Sequence, residues 1–413
     1  MYKWILPPLI RWIFIIPYLL LLIVGMIVPS DGSHGTLSLK SLAFISSTAS
    51  LLIYAIFYCR LNVAQIKQML FLSTAVSFLT IWVVISLIQG ETQISSMADQ
   101  FKLFVLTVSV AAMSLFVAEG KLLSYQTFLK IIIYSNLFYS VFKLTMVGLY
   151  FLGLLDLKFF LTKVGIRYMT MAIYGNMTRL QTSVDIVTPF LLFFVLQSKQ
   201  LQVPFSKSFK SSYLVVSVFS IFLSFSRFLL GIIAASLFLY WCNRQAMDKM
   251  KMLLSVLIVG LLAVSWMGVE RVQSIIEMRF FSSVTKDSDA VRTKQMNALL
   301  NEFDEYPLLG KGIGAYSETM IRDAINFHSY EVQWAAFLMQ FGLFGLAFIL
   351  VPLGWIGLQY LHPPLSWMKF SFFCIYLLWL ISGFFNPFLI SLTSGIMYGL
   401  FAWTGRRLTE YQS

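Results

Sequence analysis

The sequence predicts an all-α polytopic membrane protein, with about 12 transmembrane helices and one large loop between spans 9 and 10. Three observations carry that prediction. Of 413 residues, 59% are hydrophobic and 12% charged, and the mean hydropathy is +0.80. A soluble domain carries roughly 25% charged residues, so this chain has too little charge to cover a water-facing surface. Many stretches reach or approach the ~20 apolar residues that cross hydrocarbon. None alternates apolar with polar residues as the strands of a membrane barrel do.

Taken in order, the spans fall at roughly 9–29, 39–59, 69–89, 101–118, 129–154, 183–198, 211–226, 228–242, 252–269, 332–357, 368–385 and 386–403. The first is too long for the apolar core of a signal peptide and lacks a small-x-small exit, so it reads as a membrane span. Spans 7 and 8 are short and meet at Ser226-Arg227, as a tight hairpin or a broken segment. Spans 11 and 12 meet at Phe385-Asn386-Pro387, which predicts a tight turn. The chain thus divides into a bundle of nine spans (1–269), a cap loop with short helices (270–331), and three last spans with a tail (332–413). No internal repeat is apparent, which argues against the paired halves of many transporters.

Lysine and arginine set the orientation. With the N-terminus inside, the inner segments hold Lys3, Arg60, Lys67, Lys121, Lys199, Lys207, Lys210, Arg244, Lys249, Lys251, Lys369, Arg406 and Arg407. The short outer loops hold little beyond Lys40, Lys102 and Arg227. Both termini are therefore expected inside, and the net charge of +12 is mainly this asymmetry plus contact with anionic lipid. The basic residues are scattered rather than striped, so no nucleic-acid partner is expected. Cys59, Cys242 and Cys374 lie far apart in or beside apolar runs, and His34, His328 and His362 are isolated; neither set has metal-ligand spacing.

The loop 270–331 carries ten of the eighteen acidic residues. Within it, Met296, Leu299, Leu300 and Phe303 recur at helical spacing over 293–303, and Tyr306-Pro307 breaks the pattern. A folded cap on the outer face is the expectation. Gly310-Lys311-Gly312-Ile313-Gly314 follows, but it lacks the GxxxxGK[ST] spacing and a preceding strand, which excludes a nucleotide loop. Gly342 and Gly345 read as close-packing positions.

Few residues could carry chemistry. Arg227 lies between two apolar runs, either snorkelling to the interface or fixed as an anion ligand. Arg179 precedes span 6 and is either an interfacial anchor or a second anion ligand; Asp185, six residues on, could pair with it. Arg292, taken alone, reads as a solvated loop charge. His328 and Glu331, three apart at the entrance to span 10, share a face if the helix has begun there. Either is a general-base candidate, and Glu331 also suits a helix N-terminus. Apart from Asp185 at a span edge, the charged residues fall in loops. Tyr306, Tyr316, Tyr330 and Trp334 are candidates for stacking on sugars or for an interfacial aromatic belt.

In this order, four stretches resemble the bacterial O-antigen polymerase and ligase superfamily, the Wzy polymerases and WaaL ligases. They are Thr178-Arg179-Leu180, Ser226-Arg227-Phe228-Leu229-Leu230, the run from Val291-Arg292 to the P-L-L-G-K-G-I-G segment ending at Gly314, and the run from His328 to Gly345. Where the ligase pattern has a His-Asn pair, this chain has Glu331, with His328 one turn earlier. That departure makes the polymerases the better match.

The resemblance implies an inner-membrane glycosyltransferase, most simply a polymerase of undecaprenyl-diphosphate-linked O-antigen or related repeat units. A ligase moving lipid-linked glycan to lipid A-core, and a flippase of lipid-linked oligosaccharides, are the alternatives. It further implies both termini in the cytoplasm, a periplasmic active face and cap loop, and no metal or cofactor. Arg179, Arg227 and Arg292 would hold the diphosphate, and His328 or Glu331 would act as base. Lipid-linked oligosaccharides and membrane lipid would be partners, with a chain-length regulator and a flippase as further candidates.

Overall fold

The computed structural model describes residues 8–29, 38–59, 61–90, 92–163, 169–174, 177–244, 283–323 and 326–410, with residues 265, 269, 270, 273 and 277. The side chains of residues 8–10, 158, 162–179 and 281–288 fall outside that description. So do predicted span 9 apart from residues 265 and 269, His34, and the basic positions Lys3, Arg60, Lys249 and Lys251.

The described chain is a helical bundle. It begins with α1 (Pro8–Ile27), α2 (Leu39–Phe57), α3 (Val63–Gln89), α4 (Ile94–Glu119) and α5 (Tyr125–Phe151). A short α6 (Leu157–Lys163) leads to a hairpin of β1 (Met169–Tyr174) and β2 (Met177–Gln181), then to a 3-10 turn at Val184–Ile186. There follow α7 (Thr188–Leu196), α8 (Lys207–Ser224), α9 (Arg227–Cys242), α10 (Ser283–Glu305), α11 (Gln333–Leu361), α12 (Trp367–Ile381) and α13 (Leu392–Glu410).

Among the described residues, six helices are long and apolar enough to cross a membrane: α2 to α5, α11, and α12 with its 3-10 extension to Phe384. Arg11–Ile27, Val184–Leu196 and Arg227–Cys242 are apolar but shorter, and α8 and α13 fall short in apolarity. The helical class predicted from composition is therefore present, with twelve as an expectation beyond these six.

Local chemistry explains where several helices start. Asn62 caps α3 in a reciprocal box, accepting from the Gln65 amide at 2.7 Å while Gln65 Oε1 accepts from the Asn62 amide at 3.1 Å. Ser38, Ser124, Ser206 and Ser366 cap α2, α5, α8 and α12 in the simpler way. Every residue of α7 is buried, as expected of a helix apolar on all sides. With its 3-10 turn α7 spans about 20 Å, too short to cross hydrocarbon, so it is an internal strut rather than a full span.

Three sequence expectations change here. The region before span 6 is a two-stranded antiparallel hairpin, with Arg179 opposite Met171 in the register. Its strand β2 packs against α8. The link between α12 and α13 is no tight turn, because a 3-10 segment at Ser382–Phe384 and a further stretch through Ser391 separate the helices. The cap helix α10 is twice the predicted run, and Leu300, predicted to face inward, is 37% exposed. Its buried face is instead Gln295, Ala298 and Leu299, with Met296 and Phe303 beside them.

The cap has its own small core. Leu299, Ala315, Tyr330, Val332, Ala335, Ala336 and Met339 close it against the first turns of α11. Tyr330 is 1% exposed, and its phenol oxygen accepts from the Ser317 amide at 2.9 Å. Burial pushes this phenol up to about 12, with Glu302 adding to the effect and the Ser317 bond opposing it. Tyr330 is thus a strut of the cap and not a platform for sugar.

The glycine segment is the second anchor. Four of its carbonyls accept from the bundle: Leu309 from Trp82 Nε1 at 2.8 Å, Gly310 from Gln89 Nε2 at 3.1 Å, Ile313 from Ser86 Oγ and Gly314 from Ser96 Oγ, both at 2.8 Å. Its amides are spent too, since Gly310 donates to Tyr306 O, Lys311 to Met339 O, Gly312 to Gln340 O and Gly314 to Gln100 Oε1. A loop whose amides are all engaged inside the protein cannot cradle a phosphate, which agrees with the missing nucleotide spacing. Gly342 makes room for it. This residue breaks α11 at φ 61, ψ −170, and its backbone lies against Leu308 and Gly310.

Candidate active site

Where α8 ends, Phe225 adopts the left-handed conformation at φ 46, and Ser226 caps the next helix without a side-chain bond. The break is two residues long, and α8 and α9 both lean on α7 more than on each other. Span 7 and span 8 are therefore a broken pair rather than a hairpin packed along its length. The break fixes Arg227 as the first residue of α9, at the face that carries the cap.

Across from it, α10 presents Asp289 and Arg292, one turn apart. Asp289 Oδ1 accepts from Arg227 Nη2 at 3.0 Å and from Arg292 Nη1 at 2.9 Å. The two guanidinium groups therefore stand within about 6 Å of each other, at most two hydrogen-bond lengths apart. Arg292 Nε also donates to Glu331 Oε2 at 2.8 Å, and Arg322 Nη2 donates to Glu331 Oε1 at 2.8 Å. Glu331 is held in turn through its amide, which donates to Oε1 of the fully buried Gln295 at 2.9 Å. Three arginines and two carboxylates thus form one chain of contacts, with one positive charge in excess.

The cluster is partly open to solvent. Side-chain exposure is 29% at Arg227, 25% at Arg292 and 23% at Arg322, but 55% at Asp289 and 16% at Glu331. Arginine suits such a site because its planar fork offers paired donors and keeps its charge.

His328 and Glu331 do not share a helical face, because α11 begins only at Gln333. Their side chains diverge. Glu331 joins the arginines, whereas His328 is 7% exposed and points to α4, its Nδ1 lying 3.0 Å from Ser96 Oγ. The Ser96 hydroxyl donates to Gly314 O at 2.8 Å, which suits its oxygen to accept from a ring protonated on Nδ1, the tautomer that keeps its lone pair on Nε2. His328 lines a cavity of about 40 Å³ with Gln100, Tyr330, Gln333 and Phe337, large enough for a few water molecules.

Arg179 lies on β2, next to α8, and its side chain falls outside the described residues. Among the described residues, Asp185 pairs with Lys143. Asp185 Oδ1 accepts from Lys143 Nζ at 2.8 Å, and Oδ2 accepts from the Thr182 amide at 2.7 Å. Lys143 also donates to Ser220 O at 2.8 Å, and both charged side chains are almost wholly buried. A charge thus stands well inside a span, contrary to the expectation that charges fall in loops. The sequence signal was Lys143 in the middle of α5, whose other lysine, Lys130, lies near the start of the helix.

Of the sequence candidates, the fold brings together Arg227, Arg292 and Glu331, sets His328 beside α4, and places Arg179 on the neighbouring hairpin. It adds Asp289, Arg322, Gln295 and Ser96. The Asp289–Arg292 spacing of three was legible as a helical pair. Arg322 gave no periodic signal, because it lies in irregular chain.

Comparison with known proteins gives one family match: residues 212–350 fit the family model described as O-antigen ligase. The match runs from α8 into α11 and is consistent with the wider polymerase and ligase superfamily. No curated protein matches the chain.

Proposed function

We propose that this chain, given its match to the O-antigen ligase family over residues 212–350, is an inner-membrane glycosyltransferase that polymerises undecaprenyl-diphosphate-linked repeat units at the periplasmic face. The observation that carries this reading is the convergence of Arg227, Arg292 and Arg322 where the cap meets the bundle. A diphosphate on a lipid tail needs fixed cations just above hydrocarbon, and these lie at a helix break facing the cap.

In the proposed reaction an acceptor sugar hydroxyl attacks the anomeric carbon of the donor sugar. A carbon–oxygen bond forms as the bond to the diphosphate oxygen breaks. The arginines stabilise the charge growing on the departing undecaprenyl diphosphate, so the reaction needs no metal. His328 takes the hydroxyl proton on Nε2, with Ser96 holding the ring in the matching tautomer. Glu331 is better suited to positioning, since each of its oxygens already accepts from an arginine. Arg179 joins the diphosphate site from the hairpin. Both termini lie in the cytoplasm in this arrangement, and a chain-length regulator and a flippase are its partners.

The test is reconstitution of the full chain in liposomes with a synthetic lipid-diphosphate repeat unit and a chelator. A ladder of products is expected; a single unit left intact overturns the proposal. Arg292→Lys, which keeps charge but loses the fork, should lower the rate about tenfold. Full activity in both His328→Ala and Glu331→Gln would show that neither residue is the base.

The family description favours one second reading, a ligase that moves finished glycan onto lipid A-core. Loss of a polymerase leaves one repeat unit on the core, whereas loss of a ligase leaves bare core and accumulated lipid-linked polymer.

A further inference from the structure

We propose that Asp289 is a resident counter-anion, its carboxylate filling the place of one phosphate between Arg227 and Arg292 until substrate displaces it. The inference rests on the reading above, in which these arginines grip a diphosphate.

The two carboxylates of the cluster are built differently. Glu331 is the least exposed member, each of its oxygens serves a different arginine, and its backbone is tied to buried Gln295. Asp289 is the most exposed member, and a single oxygen, Oδ1, receives both Arg227 and Arg292. One anionic oxygen shared by two forks from separate helices is the arrangement a bridging phosphate oxygen would adopt. An ion pair this exposed is weak and readily exchanged.

The counter-anion has two uses. Without any anion, two guanidinium groups this close would repel and splay. With Asp289 present they stay aimed, and the empty site does not hold every passing phosphate. After transfer, the departing lipid diphosphate must leave the same arginines, and a carboxylate on the adjacent helix turn competes for them. Asp289 is therefore a positioning residue that sets affinity against turnover.

The experiment is isothermal titration of the full chain in detergent with inorganic diphosphate, followed by steady-state turnover in liposomes. Asp289→Asn keeps the shape and removes the charge. Binding should tighten about fivefold while multiple-turnover rate falls, because product release slows. Asp304→Asn removes the same charge from an exposed position about 22 Å further along α10, and should leave binding unchanged. Arg227→Ala should weaken binding.

Weaker or unchanged binding in Asp289→Asn, with Arg227→Ala still impaired, overturns the counter-anion and leaves the arginine site standing. Equal tightening in Asp304→Asn overturns it as well, since the effect would then be the general field of the loop. Wild-type protein that binds no diphosphate overturns both this inference and the reading it rests on.

Discussion

Lys143→Met alone lowers the stability of the folded chain by about 3–5 kcal/mol, the cost of leaving a buried carboxylate without its partner. The lysine holds Asp185 at 2.8 Å and the Ser220 carbonyl at 2.8 Å, and neither charged group reaches solvent. Removing the cation strands the anion among α5, α7 and α8, where water cannot replace the lost contact. Adding Asp185→Asn recovers most of the loss, because asparagine still accepts the Thr182 amide but carries no charge. The measurement is thermal unfolding of both variants in one detergent. A single variant as stable as the wild type, or a double variant no better than the single, removes the argument. The pair is then a matter of architecture, joining three helices that the main apolar cluster also joins.

Gly342→Ala is expected to cost at least about 3 kcal/mol and to lower the yield of folded protein. Its backbone, at φ 61 and ψ −170, lies in a region that essentially only glycine enters. A Cβ there would fall 2.4 Å from Leu308 O and 2.5 Å from Gly310 N. The opposed Gly310, at φ 70, would place its own Cβ 2.4 Å from Gly342 N, so neither glycine can yield to the other. Gly354→Ala is the control within the same helix. Nothing lies within 4 Å of its Cβ position, and alanine there should be neutral or gain about 0.5–1 kcal/mol. Equal melting temperatures for the two variants would mean that the kink is not built as described.

The parts legible in the sequence are those with a local signature. Apolar runs located helices at nearly all the described spans, and the Pro307 break located the end of α10. Positions that depend on the fold were harder to read. Gln295 is polar yet completely buried, because it caps the chain entering α11 rather than facing water. Leu300 is apolar yet exposed, because α10 turns a different edge inward. His328 and Glu331 looked like one helical pair, but α11 starts two residues after Glu331, and the irregular turn-and-bend approach aims them apart. Lys143 was visible as a letter, but its partner, 42 residues away, was not. The charged cluster shows the same division. The Asp289–Arg292 step is local, whereas the links to Arg227 and Glu331 cross 62 and 39 residues.

The stitching of the glycine segment has a practical consequence for anyone wishing to study the recognisable part of this protein by itself. The family match covers residues 212–350, yet Trp82, Ser86, Gln89, Ser96 and Gln100, which hold that segment down, all belong to α3 and α4. Excising the matched stretch would strip those carbonyls and amides of their donors and acceptors at one stroke and release His328 from its tether. The matched stretch is therefore inseparable from the amino-terminal helices, and chimaeras between relatives should exchange both or neither.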